Sequence, residues 1–259
     1  MLVILGWGLF LLGSIVLLGF VDANYDKIMV NEFVIEIDKS NGHSFVTEDQ
    51  VVEYLNDKGI VLNEDIKEVP DLEEIESLIQ DLSATKNVEV YSYNNGELHI
   101  EIEQRNPIAR VLVDNGYLSY YIDEDGKVMS LSDTYVARVP VFNGYINYGD
   151  HYRSINDLSV HDPEDHTLDE IYHLANIINN DEFFKSQIVQ VYVNKKGEYE
   201  MIPRVGIQRI LFGSINEAEK KFMKLKEFYT NRSNISAKEF NMYDTLNVMY
   251  NNQIVCSKR

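Results

Sequence analysis

The stretch IEIEQRNPIARV, residues 100–111, contains the point where one β-structure ends and another begins. Isoleucines alternate with glutamates over residues 100–103, which is the period-2 pattern of a half-buried strand. The Arg-Asn-Pro triplet then interrupts the alternation before apolar residues resume. Proline donates no N–H and pushes the preceding residue away from helical geometry. We therefore predict that Arg105 and Pro107 form a joint between two domains.

Upstream of the joint, the sequence predicts a compact β-α-α-β-β module of an α+β protein. Thr47 and Gln50 have capping-box spacing, and Asn-Asn-Gly at 94–96 is typical of a tight hairpin turn. The predicted elements are a strand at 33–37, a helix from Thr47 to Gly59, a helix opened by Pro70-Asp71, and strands at 88–93 and 97–103. We assign residues 24–104 to this module.

Downstream of the joint, residues 105–259 predict a mixed β-domain with flanking helices. A β-meander is expected first, since Asp-Asn-Gly and Asp-Glu-Asp-Gly turns separate short alternating runs. Thr167 and Ser214 each begin a capping-box pattern ahead of an amphipathic segment. The further predicted elements are a helix after Thr167, strands at 187–193, 198–203 and 207–212, a helix at 216–229, and a final strand at 246–256.

The first 23 residues predict a transmembrane anchor. Leu2 to Val21 is a run without charge, and about 20 such residues span a bilayer as a helix. A cleaved signal peptide ending at Val21-Asp22-Ala23 is the alternative, although its apolar core usually has only about 7–15 residues. We therefore expect a single-pass membrane protein.

Charge is distributed unevenly along the chain. The formal net charge is -19, which disfavours binding to a nucleic-acid backbone. From Lys185 to Arg259, however, 13 basic residues stand against 7 acidic ones. This basic C-terminal third suggests contact with an acidic partner, or else lysines that only solvate a helix face.

Taken together, these elements resemble the FtsQ/DivIB family of bacterial cell-division proteins. A β-α-α-β-β module directly after one membrane helix is similar to the POTRA layout of that family. The joint, Glu103-Gln-Arg105-Asn-Pro107-Ile-Ala109, resembles its E-x-R-x-P-x-A pattern. Segments 121–126 and 139–144 look like the aspartate-glycine turn and the proline-centred segment that follow it. The resemblance extends from Leu2 to about Cys256.

The resemblance implies a non-enzymatic scaffold of the divisome, in the inner membrane with its bulk in the periplasm. It implies FtsB-like and FtsL-like partners, the former held mainly by the C-terminal edge of the β-domain, and other division partners for the POTRA module. An unpaired edge strand can bind an incoming segment by β-augmentation. The predicted binding residues are Met249, Tyr250, Asn252, Gln253 and Val255, with Lys220, Lys221 and Lys224 as electrostatic guides.

Two observations leave undecided whether these residues bind a partner. The family often has Asp-Leu-Arg-Tyr in its last strand, whereas this chain has Asn-Val-Met-Tyr at 247–250, so a charge contact from that strand is in doubt. Tyr250 also fits an ordinary core position, since aromatic residues at strand spacing are commonly buried.

Other functions have weaker support. We expect no cofactor or metal, because the histidines of the 151–173 region have no recognised ligand spacing. A membrane-tethered hydrolase would need that region for catalysis. The remaining alternative is a POTRA-containing translocation or outer-membrane assembly factor that binds extended clients, although such factors usually carry several POTRA repeats. The single cysteine, Cys256, excludes an intrachain disulfide.

Overall fold

The computed structural model describes residues 7, 12–14, 32–61, 71–93, 95–113, 118–146, 167–230 and 242–258. It divides the chain into two compact units, Met1–Gln104 and Arg105–Arg259. The predicted anchor at 1–23 lies almost entirely outside the described residues, as does the histidine-containing segment 151–166. Within the described residues, no helix combines the length and hydropathy needed to cross a bilayer.

Unit 1 has the predicted β-α-α-β-β order. Its elements are β1 (Glu32–Asp38), α1 (Glu48–Asp57), α2 (Leu72–Gln80), β2 (Thr85–Ser92) and β3 (Glu97–Gln104). The strands form one sheet in the order β1-β3-β2, in which β1 runs parallel and β2 antiparallel to the central β3. The α+β class predicted for this part of the chain is therefore confirmed.

Local sequence signals account for the helix boundaries of unit 1. The Thr47 hydroxyl accepts from the Gln50 N–H, and the Gln50 side chain accepts from the Thr47 N–H, which completes the predicted capping box. Asp71 caps α2 through the N–H groups of Glu73 and Glu74. The helices bury one face against the inward residues of the sheet: Val51, Leu55, Ile75 and Ile79 with Leu98, Ile100 and Ile102.

Gln104 continues the inward row of β3 with a polar side chain. Its Oε1 accepts from the N–H groups of Phe45 (2.8 Å) and Val46 (3.0 Å). Its Nε2 donates to the carbonyls of Asp38 (2.9 Å) and His43 (3.2 Å). One buried amide therefore satisfies four backbone groups of the β1–α1 connection, which fixes that loop to the end of β3.

Unit 2 is built on a mixed sheet of nine strands among the described residues. Its elements are β4 (Pro107–Val113), β5 (Leu118–Asp123), β6 (Val128–Met129), β7 (Val141–Gly144), α3 (Thr167–Asn179), α4 (Glu182–Gln187), β8 (Ile188–Val193), β9 (Tyr199–Pro203), β10 (Arg209–Gly213), α5 (Ala218–Thr230), β11 (Tyr243–Asn247) and β12 (Val255–Lys258). The strand order is β12-β11-β10-β9-β8-β7-β4-β5-β6.

The predicted meander is confirmed as β4-β5-β6, but the sheet then continues through β7, which is parallel to both β4 and β8. Residues from the central strands and from α3, α4 and α5 form one apolar core. In it, the Phe222 ring packs 4.8 Å from the Phe184 ring and 5.1 Å from the Phe212 ring, measured between centroids. These contacts attach α4 and α5 to the sheet beside β10.

One predicted helix start in unit 2 is wrong. Ser214 and Glu217 have capping-box spacing, yet α5 begins only at Ala218. Glu217 has φ 56°, which lies outside helical geometry, so the preceding segment forms a turn instead.

Candidate partner-binding edge

β12 is the terminal strand of the unit 2 sheet. It pairs antiparallel with β11, with Leu246 opposite Cys256 and Asn247 opposite Val255. β11 in turn pairs parallel with β10. The outer side of β12 has no strand partner among the described residues. Its outward N–H and C=O groups can therefore accept another strand.

The final strand predicted at 246–256 is wrong in detail, because the segment is a hairpin rather than one strand. β11 ends at Asn247 and β12 begins at Val255. The connection contains Asn252 with φ 58°, a left-handed conformation that asparagine tolerates better than most residues. Of the five binding residues predicted for this segment, only Val255 lies in the edge strand. Asn252 and Gln253 are exposed in the connecting loop.

The loop and the strand it leads into carry three exposed apolar side chains. Met249 is 42% exposed, Tyr250 50% and Val255 40%. The alternative that Tyr250 is a core residue is therefore wrong. Large apolar side chains that are half exposed beside an open sheet edge are suited to contact another protein.

Met249 is held against the backbone of β10. A Cβ atom built on Gly213 would lie 2.7 Å from both Cγ and Sδ of Met249, closer than atoms can pack. Gly213 also has φ +75°, which other residues adopt with strain. This close approach seats the first residue of the exposed group on the sheet.

Lys224 on α5 ties the loop to the helix. Its Nζ donates to the carbonyl oxygen of Val248 at 2.9 Å and to that of Tyr250 at 2.5 Å. The lysine predicted to guide a partner by charge thus binds the backbone on either side of Met249. Because hydrogen bonds from a charged donor are strong, Lys224 restrains the segment that presents Tyr250.

Lys221 contradicts the prediction that it points outward, because it is only 8% exposed. Its Nζ donates to the Ser214 carbonyl at 2.7 Å and lies 5.0 Å from the centroid of the Phe212 ring. Burial lowers the pKa of Lys221. The aliphatic stem covers apolar surface, while the ammonium group is stabilised by one carbonyl oxygen and by the face of one aromatic ring.

The other lysines of α5 also have partners within the chain. Lys220 is exposed and forms an ion pair with Glu217, which raises the pKa of Lys220. Lys226 forms an ion pair with Asp181, the N-cap of α4. Of the three lysines predicted to guide a partner, only Lys220 is exposed, and it is paired with Glu217. Lys224 and Lys226 therefore each contact a segment of unit 2 that is distant in the chain, whereas Lys220 pairs with the neighbouring Glu217.

The predicted joint residues lie at the start of unit 2. Arg105 Nη1 is 2.8 Å from Oδ2 of Asp123, whose side chain is buried. Asp123 Oδ1 also accepts from the N–H groups of Asp125 (3.0 Å) and Lys127 (2.7 Å). Burial raises the pKa of Asp123, and the hydrogen bonds from Arg105 and Lys127 oppose that shift. Pro107 opens β4 opposite the same aspartate.

Most of the histidines in the 151–173 region, which were considered as metal ligands, lie outside the described residues. His151, His161 and His166 lie outside them, and His173 is exposed with its Nε2 3.2 Å from Glu219 Oε1. Within the described residues, no group of three or more His, Cys, Asp or Glu side chains is placed to hold a metal ion.

Sequence patterns did not indicate the roles of Gly213 and Lys224, because each depends on a contact between segments distant in the chain. The role of Gln104 could have been predicted from the sequence, since Gln104 continues the alternation of inward-facing positions in β3 after three apolar residues. The role of Asp123 carried a weaker signal, because aspartate before Glu-Asp-Gly is also an ordinary turn residue.

Comparison with known families agrees with this architecture. A family model described as a POTRA-like domain matches residues 29–103. A model described as FtsQ/DivIB, C-terminal related, matches residues 106–257, more than half of the chain. None of the curated proteins compared with the chain matches it. The resemblance drawn from the joint and its flanking elements is therefore confirmed, and the chain belongs to the FtsQ/DivIB family.

Proposed function

We propose that this protein is a non-enzymatic scaffold of the bacterial divisome that binds an FtsB-like partner by strand addition to β12. FtsQ/DivIB-related and POTRA-like domains together fit a divisome scaffold. The observation that carries the finer proposal is the open edge of β12 beside the exposed Met249, Tyr250 and Val255. An FtsL-like protein is the second partner in this proposal.

The backbone and the side chains at this edge would contribute differently to binding. Backbone groups of β12 supply directional hydrogen bonds that any extended segment can satisfy. The side chains around the strand then distinguish one segment from another. Tyr250 is a large anchor with few rotatable bonds, so ordering it on binding costs little conformational entropy.

The membrane location belongs to the same proposal. The uncharged run from Leu2 to Val21 supports a single inner-membrane span with the two units in the periplasm. A reporter enzyme that is active only in the periplasm, fused after Arg259, should be active in cells. Activity of a cytoplasm-dependent reporter at the same position would contradict this orientation.

Binding should be measured with the full-length protein in non-ionic detergent and the periplasmic segment of the FtsB-like partner. Tyr250→Ala is expected to weaken binding about 10- to 100-fold, the range for an interface anchor. Tyr145→Ala is the matched control, because Tyr145 is 53% exposed on unit 2 but far along the sheet order, after β7. It should change the affinity by less than about twofold.

Hydrogen exchange separates strand addition from other modes of docking. If the partner adds a strand, roughly half of the amides of Val255–Lys258 should exchange more slowly in the complex, since alternate N–H groups face outward. The β2 edge of unit 1 serves as an internal control and should not change. Binding that leaves the β12 amides unprotected would refute strand addition, even if Tyr250 contributes to affinity.

A further inference from the structure

The outward face of the unit 1 sheet carries a row of carboxylates across all three strands. Glu101 of β3 lies opposite Glu36 of β1 and opposite Glu89 of β2. Neighbouring strands are about 4.8 Å apart, so these three side chains stand side by side. Asp38 and Glu103 form the next pair along the sheet. We call these five residues the acidic face.

The acidic face is only partly neutralised within the chain. Lys86 Nζ lies 3.5 Å from Glu103 Oε1, and the Tyr91 hydroxyl donates to Glu101. Glu36 and Glu89 are exposed and have no hydrogen-bond or ion-pair partner in the described part of the chain. Like charges directly opposite each other destabilise a sheet. The unbound protein therefore bears a cost that a cationic partner would remove.

The spacing of the carboxylates favours a partner with several separate cations over a single metal ion. The acidic face lines an open cleft of about 480 Å³, together with Ile37, Asn87 and Ile102. Yet none of the carboxylates described here converge in a group of three that could hold a metal. Ammonium or guanidinium groups spaced along a peptide match such a row better than one small ion does.

An aromatic cluster adjoins the carboxylate row and gives the surface a second kind of contact. The rings of Tyr91 and His99 are stacked at 5.4 Å with an interplanar angle of 11°. Tyr93 meets both edge-on, at 5.4 Å and 4.9 Å between centroids, and is 49% exposed. Tyrosine rings accept both apolar groups and cations on their faces.

We propose that the acidic face and the Tyr91–Tyr93–His99 cluster form a docking surface for a lysine- or arginine-rich segment of a protein partner. The cationic side chains lie over the row formed by Glu36, Glu89 and Glu101, and a neighbouring residue packs on Tyr93. This surface lies on a different unit from β12 and uses different chemistry, so it does not depend on the proposed binding to β12.

The test uses the full-length protein and a fluorescent decalysine peptide at low ionic strength. The triple variant Glu36→Gln/Glu89→Gln/Glu101→Gln is expected to weaken binding by about tenfold or more. Its matched control, Glu53→Gln/Glu74→Gln/Glu76→Gln, removes the same charge from exposed positions of α1 and α2. Tyr93→Ala should weaken binding a few-fold and should leave the fold intact, because half of its surface is already exposed.

The outcomes are distinguishable. Equal weakening by the two triple variants would mean that decalysine responds only to net charge, and this would overturn the proposal. Failure of decalysine to bind would overturn it as well. Displacement of the peptide by calcium chloride, but not by sodium chloride of equal ionic strength, would show a divalent-cation site instead. The thermal midpoint of the sheet variant should equal or exceed that of the wild type, since like-charge repulsion is relieved.

Discussion

Substituting Lys224 by methionine tests whether this side chain positions the loop or attracts a partner. Methionine keeps most of the aliphatic volume but removes both hydrogen bonds, to Val248 and Tyr250. A hydrogen bond from a charged donor contributes about 1.5–3 kcal/mol when buried. Because Lys224 is only half-buried, solvent screening reduces the expected loss to about 1–2 kcal/mol for the pair.

This loss should appear first in the free protein. Hydrogen exchange of the segment 248–254 is expected to accelerate about 5- to 30-fold, which corresponds to about 1–2 kcal/mol of local stability. Partner binding should weaken by no more than the same factor, because the partner must then order the loop that Lys224 held. The measurements are hydrogen exchange by mass spectrometry and calorimetric titration with the FtsB-like segment.

Lys220→Met is the matched control, since it removes the same charge from the same helix. Lys220 contacts Glu217 rather than the loop, so its loss should change neither loop exchange nor affinity by more than about twofold. Equal weakening of partner binding by both variants, disappearing at high salt, would identify Lys224 as an electrostatic guide. That result would refute its role as a tether.

Three further predictions concern the architecture that supports the site. Gly213→Ala should destabilise unit 2 by about 1–3 kcal/mol in urea unfolding, because the backbone is strained and Met249 is displaced. Gly197 has φ +73° and open space around it, so Gly197→Ala should show the cost of strain alone. Equal losses of unfolding free energy in the two variants would exclude a contribution from the Met249 contact. Asp123→Leu should cost about 3 kcal/mol, because it leaves the largely buried Arg105 and the N–H groups of Asp125 and Lys127 without an acceptor. Since burial raises the folded-state pKa of Asp123, protonation stabilises the wild type relative to this variant below about pH 4, and the difference should shrink as pH rises through that pKa; unfolding curves between acid and neutral pH check the sign. Gln104→Leu should destabilise unit 1 by about 2–4 kcal/mol, since four backbone groups lose their partner. Gln80 is exposed, so Gln80→Leu should cost less than about 0.5 kcal/mol. Comparable losses of unfolding free energy would mean that the amide of Gln104 does not hold the loop.

Much of the fold could be predicted because its signals are local. Alternation over residues 97–103 determines which side chains of β3 face the helices, since side chains in a strand point to opposite faces in turn. Thr47 and Asp71 mark helix starts because each side chain satisfies N–H groups within its own first turn. The proline at 107 marks the domain joint for an equally local reason, its missing N–H.

The elements that could not be predicted depend on contacts between distant segments. The position of β7 between β4 and β8 is set by parallel pairing, which leaves no turn signal in the chain. Capping-box spacing at Ser214 predicted a helix start that the actual turn at Glu217 displaces. Local patterns of this kind state a preference that tertiary packing can override.

The same distinction between local signals and contacts of distant segments applies to the candidate site. Composition and periodicity predict a basic amphipathic helix followed by a C-terminal segment in which Tyr250 is a candidate anchor. Contacts between distant segments make this stretch a hairpin with β12 as the open edge, and they bring Lys221 and Lys224 to backbone carbonyl groups. A lysine in an amphipathic helix has the same pattern whether its ammonium meets water or a carbonyl, because the long flexible stem allows both. Which of the two occurs depends on the chain that folds beside it.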